Sequence, residues 1–208
     1  MIPCLNPAAN VAYNKPAHEQ TTWKPPDVYL SLFVFFSFLL FFFSRKALKN
    51  PGAHGFYRFF AFEGILALVL LNHPYWFENP FAPLQILSWL LLLASIIFIV
   101  HALTLLKQQG GHAERKDMPE NYAFENTTQV VNTGLYHYIR HPMYSSLLLL
   151  AWGAFFKHPA ALTTIFVVTV SVLLIITAKR EEKENIVFFG DSYKIYVKQT
   201  TMFIPWLL

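Results

Sequence analysis

Two stretches of this sequence gather side chains able to bind or transfer chemical groups. The first runs from Thr133 to Tyr144 and holds Gly134, Tyr136, Arg140, His141, Pro142 and Tyr144. Pro142 suits the first turn of a helix, where its missing N–H would have had no partner anyway. The start of that helix offers N–H groups and a positive dipole end, and with Arg140 and His141 beside it an anion is welcome there. A plainer account makes Arg140 a membrane-interface anchor and the tyrosines and histidines an aromatic belt. The second stretch is Arg180-Glu181-Glu182-Lys183-Glu184, followed by Phe188, Phe189, Gly190, Asp191, Ser192 and Tyr193. Paired carboxylates can accept hydrogen bonds from the vicinal hydroxyls of a ribose. The plainer account of these charges is a solvated helix face.

Several other chemistries are excluded by spacing. The 8 glycines nowhere form the GxGxxG turn of a soluble dinucleotide-type fold, and no HExxH or CxxC zinc pattern occurs. Cys4 is the single cysteine, so neither an intrachain disulfide nor a thiol-based metal site can be built, and no metal is expected.

The elements that must position these groups are set by lipid. Of the residues 55% are hydrophobic and 13% charged, and the mean hydropathy is +0.38. The charged share is about half that of an ordinary soluble domain. Apolar residues fall in long blocks that predict an all-α, polytopic membrane protein with about five transmembrane helices. The expected spans are Val28–Ser44, Phe56–Asn72, Leu84–Leu106, Met143–Phe156 and Ala160–Ala178. The last two are joined only by Lys157, His158 and Pro159, which makes a helical hairpin. Residues 1–27 are polar and Pro-rich and read as an extracytoplasmic tail; residues 28–208 read as one membrane domain. Of the 16 Lys and Arg residues, only Lys15, Lys24 and Lys157 fall on one side of this scheme. The positive-inside rule therefore puts the N-terminus outside and the C-terminus in the cytoplasm. The pI of about 9.1 then reflects topology signals and contact with anionic membrane lipid, so no nucleic-acid partner is expected. Beyond the fifth span, Lys179–Phe189 reads as a charged tail helix leaving the membrane. Gly190 suits its left-handed C-cap, Asp191 caps a further short helix, and Pro205 ends that helix.

The order of an Arg-His-Pro-x-Tyr element, a helical hairpin, a Glu-Glu pair and a Phe-Gly-Asp-x-Tyr tail resembles the isoprenylcysteine carboxyl methyltransferase family. The residues that carry the resemblance are Gly134, Tyr136, Arg140, His141, Pro142 and Tyr144, then Glu181, Glu182, Phe189, Gly190, Asp191 and Tyr193. It covers about residues 129–205. It departs at Ser146, where members often carry glycine. The resemblance implies S-adenosylmethionine held between the hairpin and the cytoplasmic tail, by Tyr136, Arg140, His141, Pro142, Tyr144, Glu181 and Glu182. Arg140 and Glu182 stand closest to the chemistry in that scheme. The implied acceptor is a lipophilic small molecule or a lipidated substrate: an isoprenylcysteine-like carboxylate, a thiol or a lipid amine. Methyl transfer from a sulfonium is an in-line displacement, for which alignment and desolvation suffice without a catalytic triad.

Two ionisable residues fall inside spans, where such groups are rare and usually functional. Glu63 and His101 each lie five residues from a cytoplasmic end, about 7 to 8 Å deep. Equal depth predicts a pair, either structural or at the substrate site. Two alternatives compete with methyl transfer. A sterol-type NADPH reductase would want a basic cluster near the ribose, where Glu181, Glu182 and Glu184 stand. A transporter or scaffold would spread polar residues through several spans.

Overall fold

The computed structural model describes residues 26–111, 121–122 and 125–205. The expected N-terminal tail and Cys4 lie outside the described residues. Six α-helices follow one another: α1 (Pro26–Ser44), α2 (His54–Asn72), α3 (Pro83–Gln109), α4 (Pro142–Phe155), α5 (Ala161–Phe189) and α6 (Asp191–Gln199). No strand longer than one bridge occurs among the described residues. α2, α3 and α5 are long and apolar enough to cross a membrane, whereas α1 and α4 are shorter apolar helices. α3 and α4 each carry proline in the first turn, where no N–H partner is lost.

α2 packs along α5, and α3 along α4, while α4 also touches α2 and α5. In lipid, such contacts rest on close van der Waals fit between small residues and on interhelical hydrogen bonds. Gly64 and Gly153 supply the close fit. A Cβ on Gly64 would sit 2.5 Å from Val170 Cγ2, and one on Gly153 2.9 Å from Leu92 Cδ2. Ala61 and Leu68 of α2, Ala151 and Ala154 of α4, and Val167, Val170 and Leu174 of α5 are fully enclosed in the resulting core. Phe35, Phe38, Leu90, Ile97, Ile165 and Val168 point outward instead, the arrangement a lipid surround requires.

Hydrogen bonds hold the C-terminal end of α4. Asn72 Nδ2 donates to Ala154 O at 2.8 Å, Ser88 Oγ to Gly153 O at 2.7 Å, and Gln85 Nε2 to Lys157 O at 3.0 Å. Lys157 is buried over the Trp89 ring, 3.3 Å from its centroid, and donates to Gln85 Oε1. The turn of the hairpin is thereby closed from α2 and α3.

The other end differs from expectation in three respects. α5 continues unbroken through Lys179–Phe189, because Lys, Arg and Glu are good helix formers even where hydropathy falls away. Gly190 does take a positive φ of 62°, but its ψ of −134° lies outside the left-handed helical region. Asp191 makes no side-chain cap on α6 and accepts a bond from Lys194 Nζ at 2.8 Å instead. Finally, α6 ends at Gln199 rather than near Pro205, because Thr200 turns extended and Thr201 pairs with Ile139 as a parallel bridge.

Candidate functional site

The chain before α4 and the chain after α6 meet side by side. The amide of Arg140 donates to Thr201 O at 2.8 Å, that of His141 to Met202 O at 3.2 Å, and that of Thr201 to Tyr138 O at 3.1 Å. Arg140 extends the same link. Its Nε donates to Glu182 Oε1 at 2.6 Å, and its Nη1 to the carbonyls of Val197, at 3.1 Å, and Thr200. A cation over the last carbonyls of α6 is favoured by that helix's dipole as well. His141 Nε2 lies 3.3 Å from the same Glu182 oxygen. The anion site expected at the start of α4 is therefore largely taken by this chain's own tail: carbonyl oxygens and Glu182 occupy the groups an external anion would use. Glu182 is bonded behind the site and does not line it.

In front of this junction opens a cleft of about 610 Å³, within the roughly 300 to 1,000 Å³ usual for ligand sites. Tyr136, Arg140, His141, Pro142, Tyr144 and Glu181 all line it, so six of the seven expected cofactor-site residues share one wall. Tyr144 Oη donates to Glu181 Oε2 at 2.5 Å, and the His141 and Tyr144 rings stack with centroids 5.4 Å apart.

Tyr136 sits in a short 3-10 turn, Gly134–His137. Gly134 there has φ +56°, and a Cβ on it would come within 2.7 Å of both His101 Nε2 and Leu105 Cδ1. Only glycine fits this close approach to α3. Tyr136 is 6% exposed; its carbonyl accepts Tyr196 Oη at 2.7 Å, yet its own hydroxyl is buried with no hydrogen-bond partner. Burial, reinforced by the Glu181 carboxylate, pushes that hydroxyl well above the ordinary tyrosine pKa. Burial raises Tyr193 and Tyr196 too. The cleft thus presents neutral phenols and one carboxylate.

Sequence reasoning missed the opposite wall. Thr127, Gln129, Asn185 and Tyr196 line the cleft, and so does Glu125. Arg58, counted from sequence as a topology anchor, is buried; it forms an ion pair with Glu125 and lies over the Tyr122 ring, 4.4 Å from the centroid. His54 Nδ1 lies 2.5 Å from Glu184 Oε2, and its Nε2 lies 3.8 Å from Glu125. Burial alone would raise the Glu125 pKa, but Arg58, His54 and the Tyr122 amide outweigh it and hold the group at about 2. The i, i+3 spacing of Tyr193 and Tyr196 on amphipathic α6 was an available signal. For Glu125, a lone carboxylate in a polar loop, there was none.

Glu63 and His101 do not meet. His101 backs Gly134 from α3. Glu63 takes a bond from Ser37 Oγ of α1 at 2.6 Å and faces α5. Equal depth fixed their height but not their direction around each helix.

Fold and site together define a helical integral membrane protein with a polar cleft built where two helices leave the apolar layer. A family model described as phospholipid methyltransferase matches residues 83–191, from the first residue of α3 to the first of α6, and the chain belongs to that family. The resemblance carried by Arg140 to Tyr193 is borne out at this level. Among curated proteins, the methanethiol S-methyltransferase of Pseudomonas deceptionensis is 29% identical over 57% of this chain and 42% of its own length. That of Crocosphaera subtropica is 29% identical over 61% of this chain and 47% of its own length. Methanethiol S-methyltransferase 1 of Bradyrhizobium diazoefficiens is 31% identical over 35% of this chain and 25% of its own length. The chain spans less than half the length of these relatives. No solved structure matches it.

Proposed function

We propose that this chain is an S-adenosylmethionine-dependent methyltransferase. The cofactor is held in the cleft between the Gly134–His137 turn, α4, α5 and α6, and the methyl acceptor is a lipophilic or membrane-partitioning nucleophile. A thiol is favoured over a lipid amine or an isoprenylcysteine-like carboxylate, because the relatives that match are named for methanethiol. The observation that carries this reading is the Tyr136 hydroxyl, a buried donor facing the cleft without a partner. Buried polar groups are nearly always satisfied, and an orphan in a cleft of ligand size is the counterpart of a ligand acceptor.

The donor set fits S-adenosylmethionine, whose ribose diol, ammonium and carboxylate need acceptors at one end and donors at another. Glu181 supplies the acceptor for hydroxyl or ammonium. Tyr136, Tyr193, Asn185 and Gln129 supply neutral polar groups, and Arg140 keeps one face on the cleft while anchoring the tail. Arg140 and Glu182 are positioning residues here: their bond fixes the two chain segments that carry Tyr136 and Glu181. When bound, S-adenosylmethionine supplies an electrophilic methyl on a positively charged sulfur. The protein's own part is to orient that end, to exclude water through the tyrosines, and to leave an in-line approach for the acceptor lone pair. α1 and α4 complete five crossings, with the N-terminus outside and the cleft on the cytoplasmic side, as the basic residues demand.

Titration calorimetry of the purified protein with S-adenosylhomocysteine and with NADPH tests this reading. Saturable binding of S-adenosylhomocysteine alone is expected. Binding of NADPH alone would replace the methyltransferase with a reductase, and binding of neither would overturn the site.

A further inference from the structure

Glu63 belongs to a part of the molecule that the cleft does not use. It stands five residues beyond Arg58 on α2, which turns it about 140° around the helix from the face that meets Glu125. There it lines a groove of about 800 Å³ between α1, α2 and α5, whose walls include Phe33, Phe60, Phe166 and Leu173. The floor is the close α2–α5 contact at Gly64 and Val170. One carboxyl oxygen accepts the Ser37 hydroxyl at 2.6 Å; the other is buried and has no partner. A carboxyl in this setting is costly unless something completes its bonding.

We infer that this groove is a second, lipid-phase binding site, which takes an amphiphile with a protonated amine head and an alkyl tail. Charge complementarity selects the head: the unpaired oxygen is an acceptor with no cation of this chain bonded to it. The phenylalanines select the tail. Glu63 lies about 7 to 8 Å past the level of Arg58, the depth reached by the head of a single-chain amphiphile lying along α1. A turn about the last side-chain torsion of Glu63, which is soft, presents the unpaired oxygen to the groove while Ser37 keeps its bond. The inference is independent of the cofactor reading, because no residue of the groove lines the cleft.

Dodecylamine is the probe, titrated as tritiated ligand against the full chain in phosphatidylcholine nanodiscs, with empty nanodiscs as background and dodecanol as competitor. One saturable site per chain is expected, weakened at least tenfold by Glu63→Gln and resisted by dodecanol. The thermal unfolding midpoint reports whether that variant is folded, whatever the fate of cofactor binding. Thr169→Trp, placed on the exposed rim of the groove on α5, fills the groove without touching Glu63 and is expected to abolish the site as well. Equal binding by folded Glu63→Gln, equal binding by Thr169→Trp, displacement by dodecanol at the same concentration as by the amine, or no saturable component would each overturn the proposal.

Discussion

Replacing Tyr136 with phenylalanine removes one oxygen atom, and the structure makes its two effects opposite in sign. The hydroxyl is buried and unpartnered while the cleft holds no ligand, so the unliganded protein carries the desolvation cost of an unmade hydrogen bond, about 1 to 3 kcal/mol. Tyr136→Phe relieves that cost, and the unliganded protein is expected to gain about 1 kcal/mol in stability. The backbone link is untouched, because Tyr196 Oη bonds the Tyr136 carbonyl rather than its ring. With ligand bound, the same substitution deletes a neutral hydrogen bond worth about 1 kcal/mol. S-adenosylhomocysteine should therefore bind roughly fivefold more weakly, since 1.4 kcal/mol is tenfold. Thermal unfolding in detergent without ligand gives the first number and calorimetry the second. A loss of unliganded stability would show that the hydroxyl has a partner within the protein. Unchanged affinity would show that it does not face the ligand, and either result refutes the reasoning.

Three further outcomes are expected. Arg140→Ala breaks the partly buried bond to Glu182 and two bonds to α6 carbonyls, so it should cost about 3 kcal/mol and speed tryptic cleavage at Lys194 and Lys198; unaltered cleavage would mean that the tail is held elsewhere. Glu125, held at about 2, binds fewer protons folded than unfolded below the ordinary glutamate pKa of about 4.3. Its contribution to stability is full above that value and lost as pH falls toward 2, and Glu125→Gln should flatten the unfolding midpoint across that window; parallel profiles would remove Glu125 from the account. In a Cys4→Ser background, Asn79→Cys should label from outside and Ser192→Cys only from the cytoplasmic side, and labelling of both from one side would exclude the five-crossing scheme.

Hydropathy located the helices well because lipid contact is read directly from apolar runs: α2 ends at Asn72 and α1 at Ser44, as expected from sequence. It failed at Lys179–Phe189, because polarity marks where a helix leaves lipid and not where it stops being a helix. The first wall of the cleft was legible for another reason. Tyr136, Arg140, His141, Tyr144 and Glu181 are chemically distinctive and lie in short runs. Their partners were not legible. Arg140 ends on Val197 and Thr200 carbonyls, and every residue has a carbonyl, so no side-chain pattern announces the contact. Glu63 and His101 failed on geometry, since depth along a helix carries no information about the neighbour it faces, and α2 packs on α5 while α3 packs on α4.

The parallel bridge between Ile139 and Thr201 also sets a schedule for the ribosome. Residues 138–141 leave the peptidyl-transferase centre about sixty residues before the segment that must lie beside them. At roughly 5 to 20 residues per second the interval is about 3 to 12 seconds. Throughout it α4 can already be in the bilayer with the Arg140 guanidinium and the amides of Arg140 and His141 facing water. The cleft has only one wall during that time. A nascent chain arrested anywhere before Thr201 is thus an inserted but unfinished molecule, with hydrated N–H groups at a helix start where the mature protein has carbonyls.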